Sequence, residues 1–342
     1  MLNGGNSLYG NNNAQQPPRK SLAMIMKPAV RIVLNLLVSL AAVLQASEDS
    51  WSQVSTGAKH TCARVASNHC HGAGGACSSR GAIECFGDDK FGQSSPPPGS
   101  FAKVSCGRDT TCALRKDGAV ACWGNPESGV VTGQPHAYGF DAITVGGAHA
   151  CGLKKGRLTC WGDNEYGQAS PPDADMAFLD VSAGTHHTCG VQRNGYVVCW
   201  GHDGEKESSG YPPTQRFVQV SAGNGHSCGL TNQHQLVCWG RNVEGQTSSP
   251  SGKGLFFSSV SCGHRHSCAV RDASRSADAV VCWGSNYAGE SRARFRGLFV
   301  SVAAGAQHSC GLTAAGDVRC WGDNRYGQSL GTVRTGIRGV LG

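Results

Sequence analysis

The sequence predicts an all-β fold, a seven-bladed β-propeller with one hairpin disulfide per blade. Three observations predict it. One segment recurs seven times, each copy reads as a short antiparallel sheet, and each copy carries its own pair of cysteines. The clearest copy is VSAGNGHSCGLTNQHQLVCWG, from Val220 to Gly240. Its anchor glycine is read at Gly57, Gly107, Gly147, Gly184, Gly223, Gly263 and Gly305, at steps of 50, 40, 37, 39, 40 and 42 residues. That period suits a small sheet repeated around an axis as propeller blades.

Copy five justifies the elements in order. Phe217 to Ala222 alternates and reads as a half-buried strand with Val218 and Val220 on one face. Gly223 to Gly225 turn the chain. His226 to Leu230 forms the next strand, with His226, Cys228 and Leu230 on one face and small Ser227 and Gly229 on the other. Leu236 to Trp239 returns, placing Leu236 and Cys238 on the disulfide face. Trp239 projects from the opposite face, over the room that Ser227 and Gly229 leave. Gly240 to Gln246 begins the variable connection to the next blade. Apolar groups on both faces mean that no copy buries its surface alone. A ring of seven gives every sheet two neighbours and protects its edges.

Eighteen cysteines are heavy usage, and their arrangement says more than their number. The expected pairs are Cys62–Cys85, Cys112–Cys122, Cys151–Cys160, Cys189–Cys199, Cys228–Cys238, Cys268–Cys282 and Cys310–Cys320. A separation of nine around Lys155-Gly156 is what a two-residue hairpin loop requires, and a separation of ten fits a three-residue loop with a left-handed glycine. Both put the cysteines opposite each other. The longer separations in copies one and six read as insertions in that same loop, and Cys70 and Cys77 staple the first insertion. Zinc sites favour cysteines two to four residues apart, and a reduced cytosolic chain has no reason to pair cysteines in every copy. An oxidising compartment is therefore expected, with roughly 2.5–3 kcal/mol from each ten-residue loop at most. Cys106 and Cys262 share one repeat position in copies that are not neighbours, and are left unpaired.

The formal charge of +7 is not a nucleic-acid footprint. Arg19, Lys20, Lys27 and Arg31 precede the repeats, and setting them aside leaves 26 basic against 23 acidic residues. Arg292, Arg294 and Arg296 read as a solvated loop rather than an anion site. Residues 1–23 form a polar extension. Residues 24–46 have a positive flank, an apolar run from Ile32 to Val43 and a small residue at Ala46, the pattern of a secretory signal peptide. An uncleaved anchor, an organellar or buried segment, and a start at Met24 or Met26 stay open beside it. The repeats fill 51–328, and 329–342 form a tail. Ring closure then borrows a strand from near Trp51 or from that tail.

His60, His149, His187, His226, His266 and His308 stand two residues before the first cysteine, with Thr110 in that place in copy two. Recurrence in almost every copy points to a shared intrablade hydrogen bond rather than to a metal or anion site. Trp123, Trp161, Trp200, Trp239, Trp283 and Trp321 follow the second cysteine, with Phe86 in copy one. No catalytic set, phosphate loop or zinc helix is written in the chain, so no enzyme, cofactor or metal is expected.

The VSAG-x-x-H core, the hydrophobic-Trp-Gly turn and the YGQ of Tyr166-Gly167-Gln168 and Tyr326-Gly327-Gln328 resemble the RCC1-type (regulator of chromosome condensation) propeller repeat. The cysteine pairs are most similar to those of the CRINKLY4 receptor-kinase ectodomain, and the beta-lactamase inhibitor protein II shares the architecture. The export signal, near-neutral charge and hairpin disulfides, taken with this propeller resemblance, lead to the expectation of a secreted or surface-tethered, non-catalytic recognition module binding an extracellular protein or glycan through its loops. Candidate surfaces are Val65 to Gly81, Asn125 to Tyr138, and Asp272 to Asp278. No nucleic acid is expected as partner, and a membrane only if the leading segment stays as an anchor. Two alternatives remain: a nucleotide exchange factor for a small GTPase, the role of the nuclear family member, and an enzyme with a site in the central channel.

Overall fold

The computed structural model describes residues 50–330 except 67–68, 71–76, 253, 273–279, 294 and 296, together with the backbone alone of 69–70, 77–78 and 332–333. The predicted signal segment lies outside the described residues. So do the Cys70 and Cys77 side chains, although the backbone pairs those two positions in a short ribbon.

Seven antiparallel sheets follow one another along the chain. The three strands of each are Trp51–Thr56, His60–Val65 and Ile83–Gly87; Phe101–Cys106, Thr110–Arg115 and Val120–Gly124; Ala142–Val145, His149–Lys154 and Arg157–Gly162; Phe178–Ala183, His187–Gln192 and Val197–Gly201; Phe217–Ala222, His226–Thr231 and Leu236–Gly240; Phe257–Cys262, His266–Arg271 and Val280–Gly284; and Phe299–Ala304, His308–Thr313 and Val318–Gly322. The middle strand is buried along nearly its whole length because a neighbouring blade covers each of its faces.

The core is correspondingly divided among the interfaces. In the fifth, Cys228 and Leu230 of one blade pack on Phe257, Val260, Ala269 and Trp283 of the next. Trp51, Val54, Ala63 and Val65 of the first blade pack on Cys310, Leu312, Val318 and Cys320 of the seventh, which closes the ring. Closure needs no shared blade. The strand at Trp51 belongs to blade one, and the tail adds Thr332–Val333 as a fourth strand on the outer edge of blade seven.

Three sequence expectations change. A bulge follows Phe217, so Val218 does not share a face with Val220 and is 52% exposed. The room above Gly229 is taken by Phe217, against whose ring a Cβ there would lie at 2.4 Å; Trp239 packs beside that Phe, with centroids 6.0 Å apart. In copy three the anchor is Gly146, not Gly147. Gly146 donates to the His149 carbonyl as Gly223 does to that of His226.

Candidate functional site: the ring of loops and the belt beneath it

The anchor glycines stand where blades meet at the axis. A Cβ on Gly57, Gly107, Gly146, Gly184, Gly223, Gly263 or Gly305 would fall 2.1–2.6 Å from the carbonyl oxygen of the next copy's anchor, Gly305 meeting that of Gly57. Only glycine permits so close an approach. Three residues from each copy around these glycines line a central cavity of about 170 Å³. Its walls are mainly small residues, with Arg108, Asn224 and His264 as larger polar side chains.

The six histidines lie under this rim, fully buried, but their bonds run between blades rather than within one. The Nε2 atoms of His60, His149, His187, His226, His266 and His308 meet the hydroxyls of Thr111, Thr188, Ser227, Ser267, Ser309 and Thr61 on the next blade at 2.7–3.0 Å. Five of those hydroxyls, on Thr61, Thr111, Thr188, Ser267 and Ser309, donate their proton to a loop carbonyl. Each of these five therefore accepts from an Nε2–H, and the Nδ1 atoms are left with no partner among the described residues. Burial lowers the pKa to about 4 at His60, His149 and His266, and to about 3 at His187, His226 and His308. The exception supports the pairing. Copy two has Thr110 in place of His, and the facing hydroxyl is also gone, replaced by Ala150.

Loop carbonyls at this repeat position also receive the indoles, four of them shared with a hydroxyl. Trp123 and Trp200 donate to Gln93 and Gln168, Trp239 to Glu207, Trp283 to Gln246, Trp321 to Glu290, and Trp161 to Val130. Six of the seven loops are held by the buried Gln or Glu side chain at this position, where copy two carries Val130. Gln93, Gln168, Glu207, Gln246, Glu290 and Gln328 accept from the backbone N–H two residues earlier. Gln168 and Gln328 also donate to Asp163 and Asp323 at 2.8 and 3.0 Å. In copy four the pair is His202–Glu207 and in copy six Ser285–Glu290, so donor and acceptor change places and the contact survives.

Disulfides join Cys62–Cys85, Cys112–Cys122, Cys151–Cys160, Cys189–Cys199, Cys228–Cys238, Cys268–Cys282 and Cys310–Cys320, each between residues in direct register. Lys155 and Gly156 have φ of 51° and 87°, the twist a two-residue hairpin needs. Cys106 and Cys262 are free and buried.

What remains for recognition is the outer surface of the loops. Their side chains vary from copy to copy while the anchors beneath do not. Phe91, Tyr166, Val243, Tyr287 and Tyr326 are 37%, 44%, 72%, 79% and 44% exposed on the face where first and second strands turn. Lys59 lies 4.8 Å over the Tyr326 ring, and Tyr166 meets His186 and His202 edge-on. Asn125 begins a loop on this face, whereas the insertions after Val65 and from Asp272 leave from hairpins at the opposite end and lie largely outside the described residues.

Sequence reading missed the hydroxyl row and the buried Gln/Glu row. Their signal was present as the recurrent small residue between His and Cys, and as the residue six positions after the Trp-Gly glycine.

The profile of the regulator of chromosome condensation (RCC1) repeat matches residues 101–130, 140–168, 178–206, 217–246, 257–290 and 299–328. The chain belongs to the RCC1-repeat family. Its first blade, with Phe86 in place of Trp and a long hairpin insertion, lies outside those matches yet carries the same three strands. RCC1-type propellers among solved structures share the fold. The ectodomain of the Physcomitrella patens receptor kinase CR4 is 24% identical with a TM-score of 0.63, over 80% of this chain and 74% of that one. The CRINKLY ectodomain of Arabidopsis thaliana ACR4 is 22% identical with a TM-score of 0.62, over 80% and 96%. Prp20p of Saccharomyces cerevisiae is 15% identical with a TM-score of 0.60, over 76% and 82%. No curated protein matches the chain significantly.

Proposed function

We propose that this RCC1 propeller is an extracellular, non-catalytic recognition module that binds a protein or glycan through the ring of loops on its turn face. One observation carries the reading. Buried Gln or Glu side chains fix the loop backbones, while the residues two and three positions before them range over Lys90-Phe91, Glu165-Tyr166, Val243-Glu244, Tyr287-Ala288 and Arg325-Tyr326. A rigid frame with variable exposed side chains is how binding is separated from folding. Exposed tyrosines supply contact area at little entropic cost. Seven hairpin disulfides support an oxidising address, and the two receptor-kinase ectodomains of this fold are in keeping with it.

The test compares the wild type with a Tyr287→Ala, Tyr326→Ala double variant against a glycan array and against cell-surface proteins of the source. Specific capture that falls at least tenfold in the double variant, at unchanged melting temperature, supports the reading. Equal capture by both, or accelerated nucleotide release from a small GTPase, overturns it.

A further inference from the structure

Cys106 and Cys262 occupy the last inward position of the first strand, where the other blades carry Thr56, Val145, Ala183, Ala222 and Ala304. Each stands beside the disulfide of the preceding blade. The Cys106 sulfur lies within 4.8 Å of the Cys62 sulfur, and both reach the Thr111 hydroxyl, at 4.0 and 3.9 Å. The second site shares the hydroxyl contact of the first. Ser267 lies 3.9 Å from Cys262 and 3.8 Å from Cys228. Cys62 and Cys228 are fully buried, whereas their partners Cys85 and Cys238 are half-buried.

We propose that these are two internal thiol–disulfide exchange sites, which convert an intrablade clip into an interblade one and release a thiol nearer the surface. In the first, the Cys106 thiolate attacks Cys62 Sγ. A Cys62–Cys106 bond forms, the Cys62–Cys85 bond breaks, and Cys85 leaves as a thiolate that takes the proton Cys106 gave up. One disulfide is made and one lost, so no oxidant or reductant is consumed. The second site does the same with Cys262, Cys228 and Cys238. Exchange would tie blades one and two, and five and six, across their interfaces. Burial pushes both free thiols up to about 12, which keeps the exchange dormant at neutral pH and makes it base-dependent. The released Cys85 and Cys238 are the groups able to attack an external disulfide, forming a mixed disulfide while the other half of that disulfide leaves as a thiol.

The experiment alkylates the folded, unreduced protein with iodoacetamide at pH 7 and pH 9.5, with circular dichroism confirming the fold, and maps bridges and labels by peptide mass spectrometry. The expected result is label on Cys85 and Cys238, with new Cys62–Cys106 and Cys228–Cys262 bridges, at least tenfold more at the higher pH. Cys106→Ala and Cys262→Ala should each abolish labelling at its own site and leave the other unchanged, which a general loosening of the fold would not do. Label on Cys106 and Cys262 with all seven original bridges intact, or no label under either condition, overturns the proposal.

Discussion

A buried histidine is commonly read as a ligand, and here it is a link between blades. The imidazole of blade n donates to a hydroxyl of blade n+1, and the lost hydroxyl opposite Thr110 shows that the two residues vary as one unit. His266→Thr and Ser309→Ala should therefore each destabilise, whereas the double variant, which copies the natural Thr110 and Ala150 pair, should cost less than their sum. A coupling energy of about 1–3 kcal/mol is expected from thermal melts of the four proteins. Strict additivity would mean the bond is idle. The same row sets the acid limit. Folded pKa values near 3–4 lie below the unfolded 6.5, so between those limits the unfolded chain binds more protons and stability falls as pH falls. Asp180 acts oppositely: burial raises it to about 6, and it holds its proton in the fold. Burial raises Asp109 as well, but two such groups do not offset six histidines, each of which changes stability by roughly 1.4 kcal/mol per pH unit in its window. The melting temperature should drop steeply between about pH 6 and pH 4, with uptake of several protons on unfolding. A flat profile there would mean that the ring does not bury neutral imidazoles.

At the scale of the strand and turn, legibility followed locality. The cysteine register was readable because hairpin loop length fixes which residues face each other within ten positions. The Val218 bulge was not, since alternation looks the same whether or not one residue is skipped. Two adjacent glycines hid which of Gly146 and Gly147 was the anchor. The hydroxyl partners of the histidines were beyond reach because they lie about forty residues away on another sheet, so one copy read alone suggests an internal bond. Turn chemistry also makes a prediction. Gly92, Gly167, Gly245, Gly289 and Gly327 share φ of 80–86°, with no steric neighbour or none closer than 3.9 Å, and Lys206 sits at the same point of its loop with φ 66°. A left-handed residue with a Cβ costs roughly 1–2 kcal/mol, of which the greater freedom of unfolded glycine takes back about 0.5–1. Lys206→Gly should thus stabilise by about 0.5–1 kcal/mol in a denaturant melt. A destabilised variant would show that the lysine makes a compensating contact.

For the whole molecule, the decisive property is that stability resides in seven interfaces and in no single blade. Each blade is built from its own copy, so ring closure depends on the seventh interface being as good as the rest. It is not identical to them. In the other six, a hydroxyl two residues before the anchor accepts an N–H of the next blade's first strand: Ser55 from Cys106, Ser105 from Val145, Thr144 from Ala183, Ser182 from Ala222, Ser221 from Cys262 and Ser261 from Ala304. At the closing interface that position is Ala303, facing Thr56. Ala303→Ser should supply the missing acceptor and stabilise by about 0.5–1.5 kcal/mol, while Ser261→Ala should cost about 1–2 kcal/mol by stranding the Ala304 N–H. Opposite shifts in melting temperature are the expected outcome. If the ring opens first at its closing interface, Ala303→Ser should also slow unfolding, whereas Ser261→Ala should lower the melting temperature with little change in that rate. Equal rate effects from the two sites would instead mean that all seven interfaces part together.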